Sequence, residues 1–220
     1  MEENLTFLSQ VTLFQGIAPD ELKSVLTCLN AHKRAYKKQD IILSEGQEVL
    51  SVGIVLSGKV QIIKEDFMGN RTIMSEVLPG ELFAEAFSCV HMDELPVTVL
   101  SVADSEILWI DYRRIVTVCS SACKFHIKLI ENMLAVLASK NIQLSQKIEH
   151  ISKRTTREKL LSYLSDQAER YGSDEFDIPF NRQELADYLC VDRSAMSNEL
   201  CKLRDEYIIN FHYRHFVLIS

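Results

Sequence analysis

The sequence predicts an α+β chain in three parts: a β-sandwich or small barrel, a long dimerisation helix, and a helix-turn-helix followed by a hairpin. Three observations carry that expectation. Between Ala35 and Asp111, short β-rich runs alternate with glycine-containing turns. From Ile127 to Ile151, apolar residues recur at alternating steps of three and four. Near the C-terminus, two short helical patterns are joined by only three residues, Cys190-Val191-Asp192. Closely spaced strands indicate a sandwich or barrel. A sustained 3.5-residue repeat indicates a helix that pairs with another, and so tight a helix–helix turn fits a helix-turn-helix.

Taken in order, residues 5–30 carry apolar positions at helical spacing (Leu22, Val25, Leu26, Leu29) behind a Pro19-Asp20 start signal. The β-rich runs are residues 40–43, 52–56, 59–64, 72–78, 97–102 and 106–111, separated at Gly46, Ser57-Gly58, Gly69-Asn70 and Pro79-Gly80. In the long helix, Ile127, Leu134, Asn141 and Ile148 take heptad position a, and Ile130, Leu137, Leu144 and Ile151 take position d. A single Asn at an a position favours a two-stranded, parallel, in-register pair, because each amide can bond its symmetry mate. Glu131, Lys140, Gln143, Gln146 and Lys147 read as water-facing. The alternative is an amphipathic helix packed on its own domain.

After a polar break at Ser152-Lys153-Arg154, Thr155 with Glu158 forms a capping box, and Gly172 stands where that helix would end. A short strand at residues 176–180 follows. Asn181 caps a helix over residues 182–189, and Asp192 caps a second over residues 193–204. The second helix turns Met196, Leu200 and Leu203 inward and Arg193, Ser194, Ser197 and Asn198 outward. Residues 207–210 and 216–219 alternate like a hairpin, which would form a wing.

Composition bounds the partners. At 220 residues and 47% hydrophobic content, the chain can bury two small cores. No apolar run approaches the roughly 18 residues needed to cross a bilayer, and MEENLTFLSQ is acidic with no continuous apolar core. A cytoplasmic protein without membrane association is expected. The six cysteines are scattered without a CxxC pair and read as free thiols. Cys119 and Cys123 are spaced as neighbours on one helical face, either an oxidisable pair or ordinary buried thiols. A net charge of −7 argues against sequence-blind affinity for nucleic acid. Even residues 152–220 hold ten Lys/Arg against twelve Asp/Glu, so any DNA reading must be local.

The segments NRQELADYLCVDRSAMSNELCKL, TTREKLLSYL, YKKQDIILSEGQ, VLSGKVQII and LPGELFAEAF together resemble the Crp–Fnr family of bacterial transcription regulators. The resemblance covers nearly the whole chain. It implies a jelly-roll (cupin-like) β-sandwich sensor of the cyclic-nucleotide-binding kind over residues 1–118, a dimerisation helix region over 119–152, and a winged helix-turn-helix over 153–220. It also implies a homodimer on palindromic double-stranded DNA, with RNA polymerase as a partner and a small effector in the sensor. The residues expected at DNA are Arg182, Gln183, Arg193, Ser194, Ser197, Asn198 and Lys202. Three positions near the start of the second helix face the major groove in this family, and they fall on Arg193, Ser194 and Asn198. Most relatives carry Glu and then Arg at the latter two, so Asn198 is a departure suited to adenine rather than guanine. Its alternative role is contact with phosphate or water.

The expected effector pocket comprises Ala84, Glu85, Leu95, Pro96, Ile142 and Gln143. Cyclic-nucleotide-binding relatives carry Phe-Gly-Glu and then an Arg that pairs with the cyclic phosphate. Here the motif is Phe83-Ala84-Glu85, and Leu95-Pro96 stands where the Arg would be. Ile142-Gln143 replaces the hydroxyl pair that reaches the base. A buried phosphate without its counter-charge costs several kcal/mol, so cyclic AMP is not the expected effector. Glu85 either lines a pocket or is a salt-bridged carboxylate at a strand end.

No metal, haem or iron–sulfur cofactor is expected. Only Cys28 precedes Cys89, and His91 is the single axial candidate for haem in the sensor. A metal-dependent enzyme of cupin type would need converging His ligands, whereas His32 and His91 are far apart in sequence. A non-enzymatic alternative is a dimeric ligand-binding regulator acting through protein partners. The polar outer face of residues 193–198 lacks the aromatic or Met anchors of such surfaces.

Overall fold

The computed structural model describes residues 5–69, 71–90, 92–117 and 125–219. His91, Cys119 and Cys123 therefore lie outside the described residues. The chain divides into two compact units, Met1–Asn70 with Met74–Asn141 and Arg71–Ile73 with Ile142–Ser220.

The first unit opens with helix α1 (Leu5–Leu8), a 3-10 turn at Thr12–Phe14, and helix α2 (Pro19–Cys28). Pro19 occupies the start of α2, where its missing N–H removes no helical bond. Eight strands follow: β1 (His32–Tyr36), β2 (Ile41–Leu43), β3 (Ser51–Ser57), β4 (Val60–Glu65), β5 (Arg71–Val77), β6 (Leu82–Phe83), β7 (Thr98–Ser101) and β8 (Ser105–Asp111). They form two four-stranded sheets, in the orders β1-β8-β3-β6 and β2-β7-β4-β5.

Strand β3 shows why this region reads as a continuous apolar run rather than a clean alternation. Val52, Ile54 and Leu56 face one side of the sheet and pack in a core with α2 residues Leu22, Val25 and Leu26. Val55 faces the other side, in a second core with Val60, Val99, Ile107 and Trp109. A strand buried on both faces is apolar at both parities. Its antiparallel partner β8 follows suit, with Ile54 opposite Leu108 and Val52 opposite Ile110.

Helix α3 (Glu85–Cys89) and helix α4 (Tyr112–Val116) are short. The long helix α5 (Phe125–Ser152) then runs through both units. Its N-terminal part seals the first core with Leu129, Met133 and Val136. On the same face, the Asn132 amide donates to the carbonyls of Leu13 and Gln15, at 2.9 and 2.8 Å.

In the second unit, α5 folds against helix α6 (Thr156–Tyr171). His150 Nδ1 lies 2.9 Å from Ser162 Oγ, and the Gln146 amide donates to Asp166 at 3.1 Å. Thr155 and Glu158 form the reciprocal capping box that opens α6, and Gly172 closes it in the left-handed conformation. Strand β9 (Glu175–Asp177), helix α7 (Arg182–Leu189), helix α8 (Arg193–Asp205) and the hairpin β10 (Ile209–His212) and β11 (His215–Leu218) complete the unit. The hairpin joins β9 in a sheet ordered β10-β11-β9.

Several expectations need correcting. Strand β1 was not foreseen because His32-Lys33-Arg34 is a polar, largely exposed edge. Strand β6 has only two residues, too few for any periodicity. Lys147 does not face water but is 7% exposed. Among the described residues, no helix is long and apolar enough to cross a membrane.

Candidate functional site

Helices α7 and α8 are built by their caps. The Asn181 side chain accepts from the Gln183 and Glu184 amides, while the Glu184 carboxylate accepts from the Asn181 amide at 2.6 Å. Helix α7 ends at Cys190, whose φ of 53° and ψ of 56° are left-handed. That conformation lets the chain reverse within three residues, although a residue with a Cβ adopts it at a cost. Lys159 of α6 donates to the carbonyls of Leu189 and Cys190, at 3.4 and 3.5 Å, placing a cation where the α7 dipole is negative. Asp192 then caps α8, accepting from the Ala195 amide at 2.8 Å and the Ser194 hydroxyl at 2.7 Å. Those bonds, the amide's first, hold its carboxyl below the usual carboxylate range.

Met196, Leu200 and Leu203 are buried beneath α8. The opposite side presents Arg193, Ser194, Asn198 and Lys202 to solvent, with Ser197 half-buried. Ser197 Oγ donates back to the Arg193 carbonyl at 2.9 Å, and Lys202 lies 3.4 Å from Glu199. Gln183 is exposed on α7, its amide bonded to Asp187 at 2.8 Å. Arg182 differs from its neighbours. Its guanidinium lies 4.7 Å from the ring centre of Phe211 and 5.1 Å from that of Phe216, and burial lowers its pKa. It therefore fastens α7 to the hairpin as a cation stacked on aromatic faces.

The second candidate site lies in the first unit, where β6 meets α3. The Phe83 ring sits on Gly53 of β3, where an added Cβ would come within 2.3 Å of it. The same ring meets Trp109 edge-on, at 5.3 Å between centres. Ala84 follows with φ of 66° and ψ of 0°, a left-handed turn that delivers Glu85 to the first position of α3. The Glu85 side chain is 5% exposed, and its Oε1 lies 2.9 Å from Lys140 Nζ on α5. Lys140 also donates to the Leu82 carbonyl. Glu85 Oε2 is buried and accepts from no described group. Leu95 is 1% exposed within the apolar core, its amide bonded to the Gln47 carbonyl at 2.9 Å.

Two family descriptions match this chain: residues 33–122 match the Cyclic nucleotide-binding domain, and residues 158–220 match the Crp-like helix-turn-helix domain. The chain belongs to the Crp–Fnr family of transcription regulators. The Cyclic AMP receptor protein of Thermus thermophilus is 30% identical over 96 residues, which is 44% of this chain and less than half (43%) of that receptor. Among solved structures, the c-di-GMP responsive global regulator CLP of Xanthomonas campestris shares the fold with a TM-score of 0.74. It is 18% identical, and the match covers 92% of this chain and all of that one. FixK2 of Bradyrhizobium japonicum gives a TM-score of 0.67 at 20% identity, over 86% of this chain and 93% of that one.

Set beside the family pattern expected from the sequence, several side chains of this Crp–Fnr chain differ. Ala84 takes the left-handed turn that the Gly of Phe-Gly-Glu would take at no steric cost. Leu95, expected where the phosphate-binding Arg would stand, is a core residue, and Pro96 beside it is half-buried. The carboxylate Glu85 is realised as the salt-bridged residue of the two readings. Ile142 and Gln143 are exposed on α5, and the helix residue that meets Glu85 is Lys140. Lys140 was missed because a lysine inside an amphipathic helix ordinarily faces water. Its clue was an offset of three residues from the d-position Leu137, which leaves it flanking the seam.

Helix α5 carries its heptad stripe apart from the face it buries. Ile127 is 66% exposed, and Leu134 and Ile148 are each 62% exposed. Leu144 and Asn141 are exposed as well, while Ile130, Leu137 and Ile151 are half-buried. The helix is thus apolar on two sides, one covered by its own unit and one not. The alternative of a helix packed on its own domain holds for the face with Leu129, Met133 and Val136. Arg157 was also not foreseen: it pairs with Glu199 at 3.3 Å and with Glu206, tying α6 to α8.

Proposed function

We propose that this chain is a homodimeric, sequence-specific DNA-binding transcription regulator whose sensor answers to something other than cyclic AMP. The observation that carries the reading is the outer face of α8: Arg193, Ser194 and Asn198 are solvent-exposed on the first two turns of a firmly capped helix. Side chains that form hydrogen bonds, on the N-terminal part of the second helix, suit base edges in a major groove. They do not suit a protein partner, which calls for large apolar anchors. The chain acts as a regulator and not as an enzyme, in the cytoplasm, with RNA polymerase as its expected partner at promoters.

Dimerisation follows from the uncovered stripe on α5. Ile127, Leu134, Leu144 and Ile148 would remain in water in a monomer, and a parallel mate buries them in register. Two-fold symmetry then places two reading helices on the arms of a palindrome about one helical turn apart. The rejection of cyclic AMP is supported by Leu95, which offers an apolar wall where a buried phosphate needs a cation.

Binding selection on random DNA tests the reading. Two symmetric arms are expected, with A·T favoured opposite Asn198, whose amide matches adenine N6 and N7. Asn198→Arg should shift that position toward G·C by roughly 1–3 kcal/mol. If both proteins select the same base there, Asn198 does not read it. If the wild type selects nothing and captures proteins instead, the DNA-binding reading fails.

A further inference from the structure

We propose that Lys140 is the sensor's own ligand: its ammonium takes the place of a small effector on Glu85 and holds α5 in its DNA-binding placement with nothing bound. This inference rests on the reading of the chain as a dimeric DNA-binding regulator. The buried carboxylate is where it starts. A Glu side chain that is 5% exposed needs a counter-charge, and among the described residues the cation paired with it is Lys140 at 2.9 Å. Among the described residues, the second carboxylate oxygen has no hydrogen-bond partner. Among them, therefore, one contact carries the compensation of a buried charge.

The contact also joins two elements that sequence keeps apart. Lys140 comes from the middle of α5, while Glu85 opens α3 and the Leu82 carbonyl belongs to β6. Its ammonium spends one donor on the carboxylate and another on the carbonyl, which fixes it more tightly than an ion pair alone. Another ion pair with a buried carboxylate in this unit, Lys59 with Glu76 at 2.7 Å, links β5 to the residue before β4. Lys140 is thus the charged tether between this corner of the sandwich and the long helix.

Its place on the helix decides what the tether controls. Lys140 immediately precedes Asn141, the polar position of the seam, and lies between the seam residues Leu137 and Leu144. A side chain anchored here sets the rotation of α5 about its axis, and so the direction in which the stripe faces. In a sensor that needs an effector, a bound molecule would have to supply this link between sandwich and helix. Here the chain supplies it. An effector that reached Glu85 would compete with Lys140 and weaken DNA binding. Such a molecule would have to bring hydroxyl or ammonium donors to the carboxylate, and an anionic group on it would lack a counter-charge in this largely apolar surrounding.

The test uses the full-length protein and a DNA site that the wild type itself selects from random sequence. Wild type unfolded in guanidinium, freed of small molecules and refolded should bind that site within twofold of protein purified natively. Lys140→Met alone would strand Glu85 without a counter-charge, so the deciding variant is the double change Glu85→Gln with Lys140→Met. It removes both charges together and should keep a wild-type unfolding midpoint while binding DNA at least tenfold more weakly. Lys140→Arg, which keeps the pair, should stay within threefold of wild type. DNA binding that vanishes on stripping overturns the inference, as does a folded double variant with wild-type affinity. If natively purified wild type binds no DNA at all, the underlying regulator reading falls first.

Discussion

Lys147 offers the most quantitative test of how the second unit is held together. It is 7% exposed, and its ammonium donates to the Ile73 carbonyl and lies 4.5 Å from the ring centre of Tyr188 on α7. Burial lowers its pKa from 10.5 to about 8, against an opposing pull from Cys190. Burial likewise pushes the Tyr188 phenol up to about 12, so that ring stays neutral throughout the window that matters. Because the folded pKa lies below the unfolded one, the unfolded chain binds more protons between them, and stability rises with pH there. The contribution is fully present above about pH 10.5 and is lost as pH falls through about 8. The difference of 10.5 − 8, or 2.5 units, corresponds to about 3 kcal/mol, with a slope of at most about 1.4 kcal/mol per pH unit. Urea unfolding of wild type and Lys147→Met, measured at intervals from pH 7 to pH 10.5, isolates this group from other titrations. The stability difference between the two proteins should change by about 3 kcal/mol across that range, wild type gaining with pH. Parallel profiles would show that Lys147 is not a buried charge in solution.

Asn141→Leu should raise thermal stability and blur the oligomeric state, since a polar a position trades stability for register; sedimentation as an unchanged dimer with unchanged melting would remove Asn141 from the seam. Calorimetry with cyclic AMP or cyclic GMP should show no binding tighter than about millimolar, or some 4 kcal/mol. Micromolar affinity would mean that a phosphate partner other than an Arg at position 95 exists. Cys190→Gly should stabilise the helix pair by roughly 1 kcal/mol without weakening DNA binding, because Cys190 has φ of 53° and glycine carries no Cβ penalty there. A destabilised glycine variant would contradict the left-handed backbone.

The parts of the chain that were legible from sequence are those whose pattern is set locally. The capping boxes Thr155–Glu158 and Asn181–Glu184 stand where their residue types placed them, because a cap is a bond between neighbours in sequence. The left-handed turn at Cys190 follows in the same way from the short distance between α7 and α8. What stayed hidden depends on distant partners. Beyond the place of Lys140 beside the heptad stripe, nothing near Lys140 or Lys147 in sequence names their partners; Glu85 is 55 residues from the first, and Ile73 is 74 residues from the second. Arg182 was expected at DNA, and nothing near it in sequence announced its stacking on Phe211 and Phe216. Long-stemmed cations are the residues most easily misread, because their stems suit apolar surroundings while their heads suit water.

The same comparison locates what separates this chain from cyclic-nucleotide-binding relatives. An Ala in place of the Gly of Phe-Gly-Glu carries a cost, since left-handed backbone costs a residue with a Cβ roughly 1 kcal/mol or more, and that cost favours a displaced loop. The loop is not displaced, for Ala84 still adopts φ of 66° and Glu85 still opens α3. The neighbouring Phe83 explains how the cost is met: its ring is fully buried against Gly53 and Trp109 and fixes the backbone that follows. On the proposed reading, in which the sensor answers to something other than cyclic AMP, a misplaced carboxylate is not the cause; the two side chains that would account for it are the core leucine at position 95 and the lysine paired with Glu85. Restoring an Arg at position 95 alone would leave Lys140 on the carboxylate, so a nucleotide's ribose would still have to displace an internal ammonium.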